Sequence, residues 1–116
     1  MKNKTGVVTS TYPKNNTDEA LAGIAAASFK NVELASAPAY FNHIVPSPEV
    51  ATQADVDALL KKCGDYGLEL YCIAGHTRLL TDTGLTDFQK VLDYANMADV
   101  RFVTTDVGEI KSDADK

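Results

Sequence analysis

Apolar and polar positions along this chain switch repeatedly between two periods. Four short apolar or β-branched runs, Lys4–Thr11 (KTGVVTST), Phe29–Ala35 (FKNVELA), Leu68–Gly75 (LELYCIAG) and Val100–Thr105 (VRFVTT), have the length and composition of strands. Between them lie three stripes with helical spacing. Ala20, Leu21, Ile24, Ala25 and Ser28 form a small-residue face, Val56, Leu59, Leu60, Cys63 and Tyr66 form an amphipathic one, and Phe88, Val91, Leu92, Ala95 and Ala98 form a third. The punctuation agrees with this division. Pro13 stops the first run, Thr17 with Asp18 and Glu19 suits a helix start, and Gly67 is placed to end the second helix in a left-handed turn. The second helix has two candidate starts, Ser47-Pro48-Glu49 and Thr52 with Asp55, and Thr86 with Gln89 makes a capping box for the third. Ser36–Pro46 reads as a loop and Lys111–Lys116 as a polar tail.

The order β-α-β-α-β-α-β, with strand starts near residues 4, 29, 68 and 100, predicts one α/β domain over residues 1–116, its parallel strands joined by right-handed crossovers. Two architectures accommodate that order: an open, doubly wound sheet of the flavodoxin type, and part of an eight-stranded barrel. Nucleotide or flavin chemistry in the open sheet usually calls for glycine in the first turn, where backbone N–H groups approach a phosphate. That turn is Thr11-Tyr12-Pro13-Lys14-Asn15, without glycine. The barrel reading gains accordingly.

In a barrel the C-terminal strand ends share the active face. Glu33 near the end of the second run, His76 just after the third, and Asp106 and Glu109 just after the fourth are therefore the candidate site residues. Each has a plainer reading as well. Glu33 also fits a solvated or ion-paired strand-end charge, His76 a loop cap, and Asp106 and Glu109 an ordinary turn. His43, Tyr40 and Phe41 fit either a pocket wall or packing over the barrel mouth.

Composition narrows the partners. With 11 Lys and Arg against 16 Asp and Glu, a net charge of -5 repels a polyphosphate backbone, so nucleic acid is not expected as a partner. The longest nearly uncharged apolar stretch, Ala20–Phe29, is about half of a bilayer span, so no membrane segment is expected. Met1-Lys2-Asn3-Lys4 is not followed by the apolar stretch of a signal peptide, and cytoplasm is the expected compartment. Cys63 and Cys72 lack the second pair of a zinc site and read as buried free thiols.

The strings GIAAASFKNVELAS, DVDALLKKCGDYGLELYCIAGHT and VRFVTTDVGEI, in this order and spacing, resemble the sugar phosphate isomerase/epimerase group of xylose-isomerase-like barrels. The resemblance runs from the first strand to about Ile110 and is carried most specifically by Val32-Glu33-Leu34, Tyr66-Gly67-Leu68, Gly75-His76 and Thr104-Thr105-Asp106. It implies an eight-stranded barrel with a divalent metal (Mn, Mg, Zn or Co) at its mouth. It also implies a sugar or polyol substrate in which a proton moves between adjacent carbons. Such a barrel takes about 250 residues; the 116 here correspond to its N-terminal half, four strands and three helices.

In the family the metal-holding Glu, Asp, His and Glu come from later strands, so no metal and no catalysis are expected of this chain alone. The carry-over is confined to Glu33, His76, Asp106 and Glu109 as substrate-contacting groups. No catalytic or metal-ligating residue is assigned. Related DNA-repair endonucleases use a His at the third strand end as a zinc ligand, which extends a metal role to His76. Half a barrel leaves two open edges and an apolar inner face, from which self-association into a homo-oligomer is expected. The alternatives are a non-catalytic half-barrel that binds a small polyol and an open flavodoxin-like interaction module.

Overall fold

A computed structural model describes residues 3–37 and 40–108; Glu109 and the polar tail lie outside the described residues. The first strand, β1 (Gly6–Val8), is shorter than its apolar run because Thr9–Thr11 tighten into a 3-10 turn. The cause is a side chain. Thr9 Oγ1 accepts the Ala35 N–H at 3.0 Å, so a hydroxyl takes the place of the next ladder carbonyl. Helix α1 (Thr17–Ala26) is capped by Asn16 rather than Thr17: Asn16 Oδ1 accepts from Glu19 N and Glu19 Oε1 accepts from Asn16 N. Thr17 is thereby free to donate its hydroxyl to the His43 carbonyl at 3.1 Å.

Strand β2 spans Asn31–Ala37 and is extended at its end by a two-residue antiparallel strand, β3 (Phe41–Asn42), within the segment read as loop. Of the two candidate starts for α2 (Gln53–Asp65), Thr52 is the one used, in a capping box with Asp55. Gly67 follows the helix at φ 72°, the left-handed turn expected of it. Strand β4 covers Glu69–Ala74, and β5 covers Phe102–Thr104. Helix α3 (Gly84–Met97) begins ahead of Thr86, and its N-cap Thr83 makes no side-chain capping bond. No helix among the described residues is long and apolar enough to cross a membrane.

The parallel sheet has the order β1-β2-β4-β5, so strands adjacent in space follow one another along the chain. The described strands contain no reversal of direction, an order shared by a barrel segment and by one half of a doubly wound sheet. Register fixes the faces. Val32 and Leu34 of β2, Ile73 of β4 and Val103 of β5 share one face, and all pack in the cluster that also holds Leu21 and Ile24 of α1, Val56 and Leu59 of α2, and Val91 and Tyr94 of α3. All three helices therefore cover the same side. The other side carries Glu33, Cys72, Phe102 and Thr104, and Phe102 is 64% exposed there.

Burial also sets the state of the thiols. Cys63, in the helix-side core, is pushed up to about 11 by burial, and Cys72 to about 11 by burial and the adjoining Glu33 carboxylate. Both are protonated and weakly nucleophilic at neutral pH. A thiol whose folded value lies above its unfolded one stabilises the fold below the unfolded value and loses that contribution as pH rises through the folded one. The urea midpoint is accordingly expected to hold up to pH 9 and to fall between pH 9 and about 11, with a shallower fall in Cys63→Ala. A wild-type midpoint that stays level to pH 11 contradicts this burial.

Candidate functional site

A cavity of about 510 Å³ opens where the parallel strands end. Each strand delivers residues to it from the segment that follows or closes it: Ser10 after β1, Ser36 at the end of β2, His76 after β4 and Asp106 after β5. Tyr40 and Phe41 form one wall, and Asp87 and Val91 from the first turns of α3 form another.

In its lining His76 Nδ1 lies 2.8 Å from Asp106 Oδ2. A carboxylate accepts hydrogen bonds, so Nδ1 is the donor of this pair, and in the neutral tautomer that this selects the lone pair lies on Nε2. Nε2 has no hydrogen-bond partner among the described residues. The pair is held by the meeting of two loops. Thr77 N donates to Thr105 Oγ1 at 2.9 Å, the two threonine hydroxyls lie 2.6 Å apart, and Leu79 N and Leu80 N donate to the carbonyls of Asp106 and Val107, each at 2.9 Å. Within this clamp His76 and Arg78 both adopt left-handed backbone conformations, φ 48° and 51°. That region costs a side-chain-bearing residue about 1–2 kcal/mol, and it persists only where neighbouring bonds over-determine the backbone.

Of the four residues singled out from the sequence, His76 and Asp106 meet in the cavity. Glu33 does not line it. Strand β2 continues four residues past Glu33, so this carboxylate sits in mid-strand on the helix-free face, opposite Cys72 and accepting from Thr104 Oγ1 at 3.3 Å. Glu109 lies outside the described residues. Of the loop aromatics, Tyr40 and Phe41 line the cavity, whereas His43 is buried beneath it at 1% exposure. Its Nε2 bonds the Asn15 carbonyl at 2.8 Å and its ring leans on Phe41, so it ties the first loop to the β2–β3 turn. Its Nδ1 has no partner among the described residues.

Sequence reasoning passed over Arg78, Glu49 and Asp87, which also line the cavity. Only Arg78 had a local signal, its place two residues beyond His76. Among the described residues no three His, Cys, Asp or Glu side chains come together as a metal-holding group. The His76–Asp106 pair presents one imidazole nitrogen oriented by a carboxylate, an arrangement shared by metal-ligating histidines and by proton-transfer pairs. In the neutral tautomer Nε2 is placed to accept a proton from a bound hydroxyl, with Asp106 orienting the ring. No family model matches this chain, and no curated protein matches it.

Proposed function

We propose that this chain is the N-terminal half of a sugar isomerase/epimerase-type (β/α)8 barrel and binds a sugar or small polyol in the cavity at its strand ends. The observation that carries the reading is the strand order: four parallel strands run in chain order with every helix on one side. Barrels are wound in that manner and bind at the C-terminal strand ends, where this cavity lies. Its lining supports a hydroxylated ligand, since Ser10, Ser36 and Ser47 supply hydroxyls and Tyr40 and Phe41 supply aromatic surface. Within the completed barrel His76 takes or returns the proton that moves between adjacent carbons. The helix-free face and the open edges of β1 and β5 support self-association in the absence of further strands.

The test is a thermal-shift and calorimetric titration with three- to six-carbon aldoses, ketoses and polyols, alongside sedimentation of the free chain. At least one ligand is expected to raise the melting temperature, since a ligand at 100 times its Kd adds about 2.7 kcal/mol. His76→Asn keeps a residue that tolerates the left-handed backbone and is expected to weaken binding by about tenfold or more through the lost hydrogen bond. A chain that sediments as a monomer and is shifted by none of these ligands contradicts the reading.

A further inference from the structure

We propose that the helix-free face of the sheet is an interaction surface, and that its partner is a polypeptide segment that lays an arginine side chain on Glu33 between the rings of Tyr71 and Phe102. Register sets one row straight across the four parallel strands: Val8, Glu33, Cys72 and Phe102. All three helices pack on the opposite side of the sheet, so none lies over this row. It is apolar at both ends and charged in between.

Tyr71 joins the row through a β-bulge. Val32 stands opposite Leu70 and Glu33 opposite Cys72, so Tyr71 is the extra residue of β4, and a bulge of this kind re-aims a side chain. Here the ring crosses β2 to reach β1, since a Cβ on Gly6 would stand 2.5 Å from Tyr71 Cε1. A glycine at position 6 is what leaves room for it. Burial and then the Glu33 carboxylate push the Tyr71 hydroxyl above its ordinary value, in keeping with a phenol beside that acid.

Glu33 itself has only neutral neighbours. Thr104 Oγ1 donates to it at 3.3 Å, the adjoining Cys72 thiol is protonated, and no Lys or Arg nitrogen lies within 4.0 Å of it among the described residues. Lys4, just ahead of β1, is taken by Glu69 at 2.6 Å. When the face is covered, this carboxylate loses its remaining water, and a buried charge persists only if it is paired. A guanidinium answers both features of the surface: its parallel N–H groups suit a carboxylate, and its flat cation stacks on aromatic rings. A second copy of the chain does not. Isologous pairing lays the row on itself, which brings carboxylate towards carboxylate and supplies no cation. The inference therefore narrows self-association to the open edges of β1 and β5, and it does not draw on the strand-end cavity or its ligand.

The experiment titrates the chain with N-acetylarginine amide and with its neutral counterpart N-acetylcitrulline amide, followed by amide chemical shifts at low and high salt, with sedimentation in parallel. In wild type the arginine probe is expected to shift the amides around Glu33, Tyr71 and Phe102 and to bind about tenfold or more tightly than the citrulline probe, the ratio shrinking as salt rises. Glu33→Gln keeps the shape and is expected to lose the preference. Tyr71→Leu keeps the charge and is expected to weaken the arginine probe about threefold through the lost ring. Equal binding of the two probes, binding of neither, a preference that survives in Glu33→Gln, or shifts confined to the strand-end cavity overturns the inference. So does self-association that Phe102→Ser abolishes, because a second copy is then what covers the face. Each of these results leaves sugar binding in the cavity to be decided by its own titration.

Discussion

Tyr94→Ala is expected to lower the unfolding free energy by about 3–5 kcal/mol, the range for removing a large aromatic ring from a packed core. Tyr94 is 1% exposed and is the largest fully buried side chain of the helix-side core. It joins two helices: it projects from α3 to lie near Cys63 and Asp55 of α2, and burial pushes its hydroxyl up from its ordinary value. Without the ring, α2 and α3 lose their common filling and the cluster retains a cavity it cannot collapse around. A domain of this size has about 5–15 kcal/mol of stability in all, so the loss is a large share of it. Urea unfolding followed by circular dichroism measures it, with the slope unchanged if only stability moves. Tyr94→Phe keeps the ring and is expected to stay within about 1.5 kcal/mol of wild type. A Tyr94→Ala cost below that of Tyr94→Phe contradicts the packing described here.

Gly84→Ala is expected to cost about 1–3 kcal/mol and to disturb the cavity as well. A methyl group on Gly84 would stand 2.5 Å from the Arg78 carbonyl oxygen and 2.8 Å from Leu79 Cα and O. These are backbone atoms of the clamped loop and cannot swing aside as a side chain does. Either α3 moves away from the sheet or the loop releases Arg78 and His76, so ligand affinity is expected to fall together with the melting temperature. Gly64→Ala is the contrast. Gly64 lies within α2 with nothing within 4 Å of an added methyl. There alanine removes only backbone freedom and is expected to stabilise by about 0.5–1 kcal/mol. Equal effects at the two glycines would show that α3 does not rest on the loop as described.

The site was legible where chemistry directly follows an apolar run. His76 and Asp106 each come just after a strand, and a polar residue there faces the strand-end surface whatever the neighbouring strands do. Glu33 lies away from the strand-end cavity for a definite reason. The apolar pattern of its run fades at Ala35, but β3 pairs with Ser36 and Ala37 and prolongs the strand, leaving Glu33 in the middle of the sheet. Arg78 was not legible, because no local preference puts arginine in a left-handed conformation; it is held there by bonds from a segment about 28 residues further on. The caps divide in the same way. The box of Thr52 and Asp55 is written locally, whereas Thr17 yielded its capping role to Asn16 while its hydroxyl serves His43, 26 residues away.

From the amino acids alone came the alternation of strands and helices, the faces of the helices and the burial of both cysteines, because periodicity and hydrophobicity act over neighbouring residues. Only the tertiary structure decided that the strands run in chain order with all helices on one side, that His76 meets Asp106 and that Glu33 is left on the uncovered face. Those outcomes depend on register between segments distant in the chain, where one hydroxyl or one two-residue strand determines which side chains share a cavity.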